Sequence, residues 1–241
     1  MTYYFAVEKV NARSQSLKVS AAKQDFLAID GDVLAVVWQP GSARTLEMGD
    51  YGGKLCVEPA TGLLSISVSD GGDLNQTVFA QTVGQVTYQL PYSESPDTGL
   101  YLRGDSRSIA NQSGSLVSQV SIQHGVEHPE LLLRYRPVVS SVALGTEGGR
   151  SVNVVRVYVV NLNSSEAVAL YGRVPLKISC SSTTVTTMTY TVSYKLNSLA
   201  VSSFLCESSG QVTVPISSTD AGAVINVEVV EANVKLERCL R

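Results

Sequence analysis

A regular alternation of apolar and polar residues runs through the segment between Thr183 and Leu196. The positions of one parity are apolar and those of the other are polar: Met188, Tyr190, Val192, Tyr194 and Leu196 against Thr187, Thr189, Thr191, Ser193 and Lys195. A period of two places alternate residues on opposite faces of a β-strand. The segment therefore predicts a long strand with one buried face and one solvent face, which β-branched threonines suit well.

Shorter runs of the same kind recur along the chain at a spacing of about ten residues, with Gly, Ser, Asn and Asp between them. Near the beginning they predict strands at Tyr3–Val10, Leu17–Val19, Phe26–Ile29 and Val33–Trp38, the last two joined by a turn at Asp30-Gly31-Asp32. No segment has an apolar stripe of helical period with a cap at each end, so no helix longer than about two turns is expected. No repeat of fixed period is visible. The pattern predicts an all-β protein with antiparallel β-sandwich architecture.

One segment interrupts the rhythm of strands. Residues Pro91–Gly114 are rich in Ser, Pro, Gly and Asp, with a single apolar island at Leu100–Leu102. It is either one long functional loop or a connection between domains. Because long loops without structure of their own are uncommon inside a domain, we predict two sandwich-like domains, an N-terminal β-domain at 1–114 and a C-terminal β-sandwich domain at 115–241.

The last predicted strand changes phase. Apolar residues occupy odd positions from Ile225 to Val229 and even positions from Val230 to Leu236. Since a regular strand keeps its faces, an extra residue would account for the change. The sequence therefore predicts a β-bulge near Val229–Val230.

Charge and hydropathy narrow the classes of function. The 241 residues include 18 basic and 21 acidic side chains, which give a net charge of -3 without any Lys/Arg run. Nucleic-acid binding, which needs a basic face, is therefore not expected. No apolar stretch of about 18 residues is present, so no membrane span is expected. The start has neither the basic nor the continuous apolar region of a signal peptide. The chain then stays in the cell that makes it, leaves by virion release, or had a leader removed, so the expected location is a virion or the host cytoplasm.

The cysteines and histidines offer few sites for chemistry. No CxxC motif occurs among the four cysteines. Cys180 and Cys206 both end apolar runs and could form a disulfide across a sheet, although buried free thiols are the favoured interpretation. His124 and His128 have a spacing that could hold a metal on a helix, but Gly125 and Pro129 disfavour a helix there. We predict neither a metal nor a cofactor.

No catalytic set emerges from the sequence. The chain has no G-x-S-x-G motif. The paired carboxylates Asp30/Asp32 and Asp70/Asp73 could act across a cleft, but each pair also fits an ordinary turn, which is the better reading. Histidine-based catalysis is limited to the two histidines already considered. The sequence therefore predicts a protein that is not an enzyme.

Tyrosine is prominent, with 11 residues against 4 Phe and 1 Trp. Tyrosines in loops often contact partners or sugars, because they combine apolar area with a hydroxyl group. Tyr92 and Tyr101, with the neighbouring Asp97 and Asp105, are the candidate ligand-binding residues of a carbohydrate-binding or lectin-like module.

The leading hypothesis is a non-enzymatic β-sandwich protein that works through its surfaces, in assembly or surface contact, with protein partners or as a homo-oligomer. The carbohydrate-binding module and an enzyme with an unrecognised acidic site are the alternatives. The Val/Thr/Ser-rich strands, such as Val152–Leu162 and Thr183–Leu196, resemble in character β-rich proteins of viruses that infect hyperthermophilic archaea, of the Pyrobaculum spherical virus type. That resemblance has no specific motif and transfers no functional residue. It implies a thermophilic, virion-associated structural role.

Overall fold

The computed structural model describes residues 2–90, 98–111, 117–125, 128–164 and 166–239, without the side chains of residues 2–7. Within these ranges one helix, α1 (Thr2–Val36), precedes all of the strands. The strands are β1 (Ala43–Met48), β2 (Lys54–Ser69), β3 (Asn75–Gln89), β4 (Tyr101–Arg103), β5 (Ala110–Asn111), β6 (Ser118–His124), β7 (Pro129–Tyr135), β8 (Val138–Glu147), β9 (Arg150–Leu162), β10 (Val168–Tyr171), β11 (Val174–Val192), β12 (Ser198–Leu205), β13 (Ser208–Pro215) and β14 (Ala223–Arg238).

The helix α1 overturns the interpretation of the N-terminal segment. All four strands predicted there are wrong, and so is the turn at Asp30-Gly31-Asp32, because all but the last two residues of this region lie in one helix of 35 residues. Among its described side chains, the apolar ones that it buries are Ala22, Phe26, Ile29, Val33 and Val36, with Asp30 between them. Their spacing of four, three, four and three residues is the period of a helix, which the short apolar runs conceal.

The two ends of α1 differ in their surroundings. After Val36 the chain leaves the helix through Pro40 and Gly41, whose φ of 84° lies in the left-handed region. Towards the other end, every side chain from Glu8 to Lys18 is exposed, including Val10 and Leu17. Because a helix of 35 residues is about 52 Å long, a rod of several turns stands clear of the sheets.

The strands form two largely antiparallel sheets, which confirms the predicted β class. One sheet has six strands in the order β1-β11-β14-β9-β8-β5. The other has eight, in the order β13-β12-β2-β3-β7-β6-β4 with β10 paired to β2. Only β14–β9 and β5–β8 are parallel pairs among the described strands.

Both sheets combine strands from the two predicted domains. Here β1 pairs with β11, β2 with β12, and β3 with β7. Gly114 itself, the predicted boundary, lies outside the described residues. The strands before and after it therefore share their sheets and their hydrogen-bond ladders.

Two hydrophobic clusters fill the interior. We call one the helix cluster, because it contains the buried stripe of α1 together with residues of both sheets, such as Leu55 and Leu162. The other, the sheet cluster, consists of strand and loop residues alone, such as Ile66 and Val157. Several long strands contribute to both clusters.

The strand β14 shows how one strand serves two clusters. It buries the odd-numbered residues of 223–229 in the sheet cluster and the even-numbered residues of 232–236 in the helix cluster. Its ladders to β11 and β9 pass through Val229 and Val230 without a shift. The bulge predicted there is wrong: the phase changes because the opposite face of a continuous strand becomes covered. A register shift does occur on β11, between Cys180 and Ser182.

The same change of face occurs in β9 and β3, and a glycine marks the point where these strands cross. In β3, Val83 belongs to the sheet cluster and Val86 to the helix cluster. A Cβ atom on Gly84, between them, would overlap the carbonyl oxygen of Leu162 at the end of β9. It would also lie 2.8 Å from the carbonyl oxygen of Glu58. The backbones of the two strands are in contact here, and only glycine, which has no Cβ atom, leaves enough room for this contact.

We therefore expect Gly84→Ala to destabilise the protein by about 1–3 kcal/mol or more, because the added methyl group forces the two strands apart. Urea unfolding followed by circular dichroism measures the change. The matched control is Gly31→Ala on α1, where a Cβ meets no atom within 4 Å. That substitution should raise stability by about 0.5–1 kcal/mol through helix propensity. Equal urea midpoints for Gly84→Ala and Gly31→Ala would contradict the inference that the backbones of β3 and β9 are in contact at Gly84.

Buried polar groups fix α1 against the sheets. The carboxylate of Asp30, which is fully buried, accepts hydrogen bonds from Arg103 Nη1 at 2.6 Å and Tyr135 Oη at 2.9 Å. Burial, together with the neighbouring Asp30, raises the pKa of Tyr135 well above its usual value. Nearer the exposed end, Asp25 accepts from Tyr51 Oη at 2.7 Å, and this bond raises the pKa of Tyr51 to about 12.

Replacing Asp30 by alanine should destabilise the protein by about 3 kcal/mol, because it leaves Arg103 and Tyr135 without their buried acceptor. Asp32→Ala, two residues along α1, is the matched control. Among the described residues its carboxylate pairs only with the exposed Arg44, at 3.4 Å, so its loss should change stability by less than about 1 kcal/mol. Thermal and urea unfolding give both values. A smaller effect at Asp30 than at Asp32 would show that the buried contacts do not hold the helix.

Candidate functional site

The four residues proposed from the sequence as a ligand site are only partly described. Tyr92 and Asp97 lie outside the described residues. Tyr101 begins β4, is half-buried and pairs with Ser121 of β6. Asp105 follows β4 in a loop. The combination of the four residues as a binding site stays a prediction.

The carboxylate of Asp105 is engaged by two arginines. Arg107 reaches it with Nε at 3.0 Å and Nη2 at 2.7 Å, and the buried Arg136 forms a further ion pair with it. These guanidinium groups hold the pKa of Asp105 well below its usual range. The amide of Gln119 donates to the carbonyl oxygens of Asp105 and Arg107, which fixes the loop. In this arrangement Asp105 anchors a buried arginine.

The cysteines and histidines are placed apart. All four cysteines are free, and the suggested Cys180–Cys206 disulfide is not formed. The thiol of Cys180 donates to the carbonyl of Val37, just beyond the end of α1. Cys206 lies in the two-residue turn between β12 and β13, with φ 56°. His124, at the end of β6, has its Nε2 atom 2.9 Å from Thr98 Oγ1. No group of three His, Cys, Asp or Glu side chains in the described part of the chain could hold a metal ion.

The strand β11 has two halves with different neighbours. Its first half, up to Ser179, lies between β1 and β14. From Ser182 to Val192 it pairs with β14 on one side only, and no described strand pairs with its other side. We call these eleven residues the open edge. Such an edge presents a row of backbone N–H and C=O groups that can pair with another strand.

The open edge contains neither charge nor proline, two of the features that normally protect a sheet edge. No charged residue occurs between Lys177 and Lys195, and no proline between Pro175 and Pro215. Threonines fill most of its outward positions, and Val185 is 60% exposed. The inward-facing Met188 and Tyr190 are half-buried against the sheet cluster. The two-faced strand predicted from the sequence is thus confirmed up to Val192, where β11 ends.

The other described edges differ from the open edge in length or protection. Strand β1 has six residues, with Arg44 and Glu47 among them. Strand β13 has eight and ends in Pro215. The free part of β8 contains a register shift between Ala143 and Gly145. Residues 75–85 of β3 are also uncharged and have no described partner strand on the side away from β2, but their ladder to β2 contains two register shifts. Among the described edges, a long uncharged edge without a register shift inside it therefore occurs at Ser182–Val192, next to the shift between Cys180 and Ser182.

An apolar row leads across the outer face of the six-stranded sheet to the open edge. Val185 of β11 is in register with Val230 of β14, which is in register with Tyr158 of β9. Trp38, just beyond α1, packs edge-on against Tyr158, with ring centroids 5.4 Å apart. Trp38 is itself 43% exposed. A strand docked on the open edge could extend this row.

Sequence reasoning identified β11 as a strand but missed that one of its edges is free. The alternation of residues reports the faces of a strand and carries no information about its neighbours. The signal that was present is the uncharged run between Lys177 and Lys195, which is unusual for a strand with a solvent-exposed face.

Comparison with known proteins identified no relative, because no family model, no curated protein and no solved structure matches this chain. The resemblance to proteins of archaeal viruses stays a prediction. No described helix is long and apolar enough to cross a membrane.

The Asp105 ion pairs generate a prediction about pH. A carboxylate with a lowered folded-state pKa contributes stability that is present above its unfolded pKa of about 3.9 and is lost as the pH falls below it. We therefore expect the thermal midpoint of the wild type to fall more steeply than that of Asp105→Asn below about pH 5. Midpoints measured from pH 7 down to the acid limit of folding test this. Parallel curves would exclude a stabilising role for the Asp105 charge.

Proposed function

We propose that this chain is a non-enzymatic structural protein that self-associates through the open edge of β11. Two copies pair their open edges antiparallel across a twofold axis, which joins two six-stranded sheets into one. The observation that supports this most directly is the eleven-residue edge, Ser182–Val192, with neither charge nor proline. The role is one of assembly or surface contact.

A second copy fits the edge better than an unrelated strand does. In a symmetric antiparallel pair centred on Thr187, Ser182 lies opposite Val192, and every residue of the edge has a partner from the same segment. The cross-strand pairs are then drawn from threonine, serine, valine, methionine and tyrosine, so no like charges meet. Pairs of β-branched and aromatic residues on adjacent strands are favourable.

The energetics require more than backbone pairing. About ten new hydrogen bonds at roughly 1 kcal/mol each contribute about 10 kcal/mol. Association costs about 4–15 kcal/mol in lost freedom of motion. The two terms nearly cancel, so apolar contacts beside the ladder decide the affinity. In this pairing Val185 lies opposite Thr189 of the second copy, so the methyl group of that threonine supplies the contact. Val230 lies one strand behind Val185.

The test is the mass of the particle in solution, measured by size-exclusion chromatography with light scattering over a range of concentrations. The wild type should form a dimer or a larger symmetric assembly. Thr187→Lys should raise the dimer dissociation constant at least about tenfold, because it places two like charges opposite each other in a sheet. The matched control is Thr213→Lys, at an exposed position on the edge strand β13 of the other sheet.

A cysteine variant tests the register as well. In the proposed pairing the two copies of Thr187 face each other at a Cα separation of about 4.5–5.5 Å, which a disulfide can span. Thr187→Cys should therefore form a covalent dimer under mild oxidation, whereas Thr213→Cys and the wild type should not. A wild type that stays monomeric at about 100 μM, above ordinary micromolar affinities, would overturn the proposal. So would dissociation by Thr213→Lys in place of Thr187→Lys.

A further inference from the structure

A cavity of about 380 Å³ lies where the turn between β2 and β3 approaches the end of β11. Its lining residues come from these two places: Asp73 and Leu74 from the turn, and Tyr190, Thr191, Val192, Ser193 and Tyr194 from β11 and the residues after it. This volume lies within the range of small-molecule sites. The cavity thus has lining residues from both sheets, at the end where the sheet cluster lies.

One wall of the cavity is held rigidly. The hydroxyl of Tyr194 donates to Asp70 Oδ2, and this bond raises the pKa of Tyr194 to about 12. The other oxygen of Asp70 accepts from the backbone N–H groups of Gly72 at 2.7 Å and Leu74 at 3.2 Å. Tyr194 as a whole is 40% exposed. Its orientation is therefore fixed before any ligand arrives, which lowers the entropy lost on binding.

The side of the cavity formed by the turn between β2 and β3 contains a carboxylate that is available as a hydrogen-bond acceptor. The exposed carboxylate of Asp73 makes no hydrogen bond or ion pair within the described part of the chain. Tyr190 adds a second, half-buried ring. No lysine, arginine or histidine lines the cavity. Arg150 lies beside the cavity, with its Nη2 atom 3.5 Å from Ser193 Oγ. The carboxylate of Asp73 nevertheless disfavours an anionic ligand inside it.

We propose that this cavity binds a neutral sugar ring. The face of Tyr194 would stack on the C–H groups of the ring, which combine apolar area with a rigid shape. The carboxylate of Asp73 would accept hydrogen bonds from two neighbouring sugar hydroxyls, and charge-assisted bonds of this kind are the stronger ones. The site differs from the one predicted at Tyr92, Tyr101, Asp97 and Asp105.

An organic ammonium ion is the rival ligand, because aromatic rings and a carboxylate also attract cations. The geometry favours the sugar. Asp70, the second carboxylate nearby, already accepts three hydrogen bonds from Tyr194, Gly72 and Leu74. Its charge is therefore compensated within the protein. The positive charge of Arg150, whose Nη2 atom lies 3.5 Å from Ser193 Oγ beside the cavity, further disfavours a cation.

The experiment is isothermal titration calorimetry of the full chain with maltohexaose, cellohexaose, xylohexaose, mannohexaose and chitohexaose, and with choline as the cationic probe. At least one oligosaccharide should bind, and choline should not. Tyr194→Ala and Asp73→Asn should each weaken that binding at least about tenfold, since each removes a main contact. The matched control is Tyr171→Ala, because Tyr171 is 71% exposed on β10 and does not line the cavity.

Asp73 is exposed in a turn, so Asp73→Asn keeps the proposal testable even where Tyr194→Ala does not fold. Absence of binding by all five oligosaccharides at millimolar concentration would overturn the proposal. The same holds for binding that survives Asp73→Asn, or for choline binding in place of sugar binding. Because the titration reports heat of binding and the assembly test reports mass, either proposal can fail without the other. Repeating the titration with Thr187→Lys separates the cavity from the open edge.

Discussion

The backbone contact between Gly84 and Leu162 is the constraint on which the two clusters depend. Two sheets normally pack about 10 Å apart, with side chains between them. At this point the strands approach until a Cβ atom no longer fits. On one side of the contact the strands bury one face in the sheet cluster, and on the other side they bury the opposite face in the helix cluster. One close approach thus allows a single set of long strands to build two cores.

The helix α1 is the element that makes the second core possible. Its stripe around Phe26 and Ile29 packs with residues of both sheets, such as Leu162 from one and Val86 from the other. Asp30 lies in that stripe, and a buried carboxylate is tolerated only when it is fully hydrogen-bonded. Arg103 and Tyr135 meet that requirement from β4 and β7. The burial of Asp30 therefore also fixes the position of the helix along the sheet.

The sequence predicts the strands well where their pattern depends on one covered face. In the predicted strand between Thr183 and Leu196, Met188 and Val192 follow the alternation because this half of β11 faces the sheet cluster. The helix was missed because Asp30-Gly31-Asp32 has the composition of a turn and separates two short apolar runs. Only their packing between two sheets shows that Phe26, Ile29 and Val33 form one stripe. The phase change after Val229 was visible in the sequence, but its cause lies in tertiary packing, which periodicity cannot report.

The open edge of β11 also results from the arrangement of the strands around two clusters. Strand β11 must be long, because its first half supplies the helix cluster with Leu176 and Ile178, and its second half reaches the sheet cluster with Met188 and Val192. Its neighbour β1 is short and covers the first half alone. A long strand beside a short one leaves an edge open, and proteins usually protect such an edge with charges or proline. Here the open edge contains neither, and an unprotected edge of this length is best explained by a partner strand that covers it. The requirement for two cores therefore creates the surface through which we propose that two copies join.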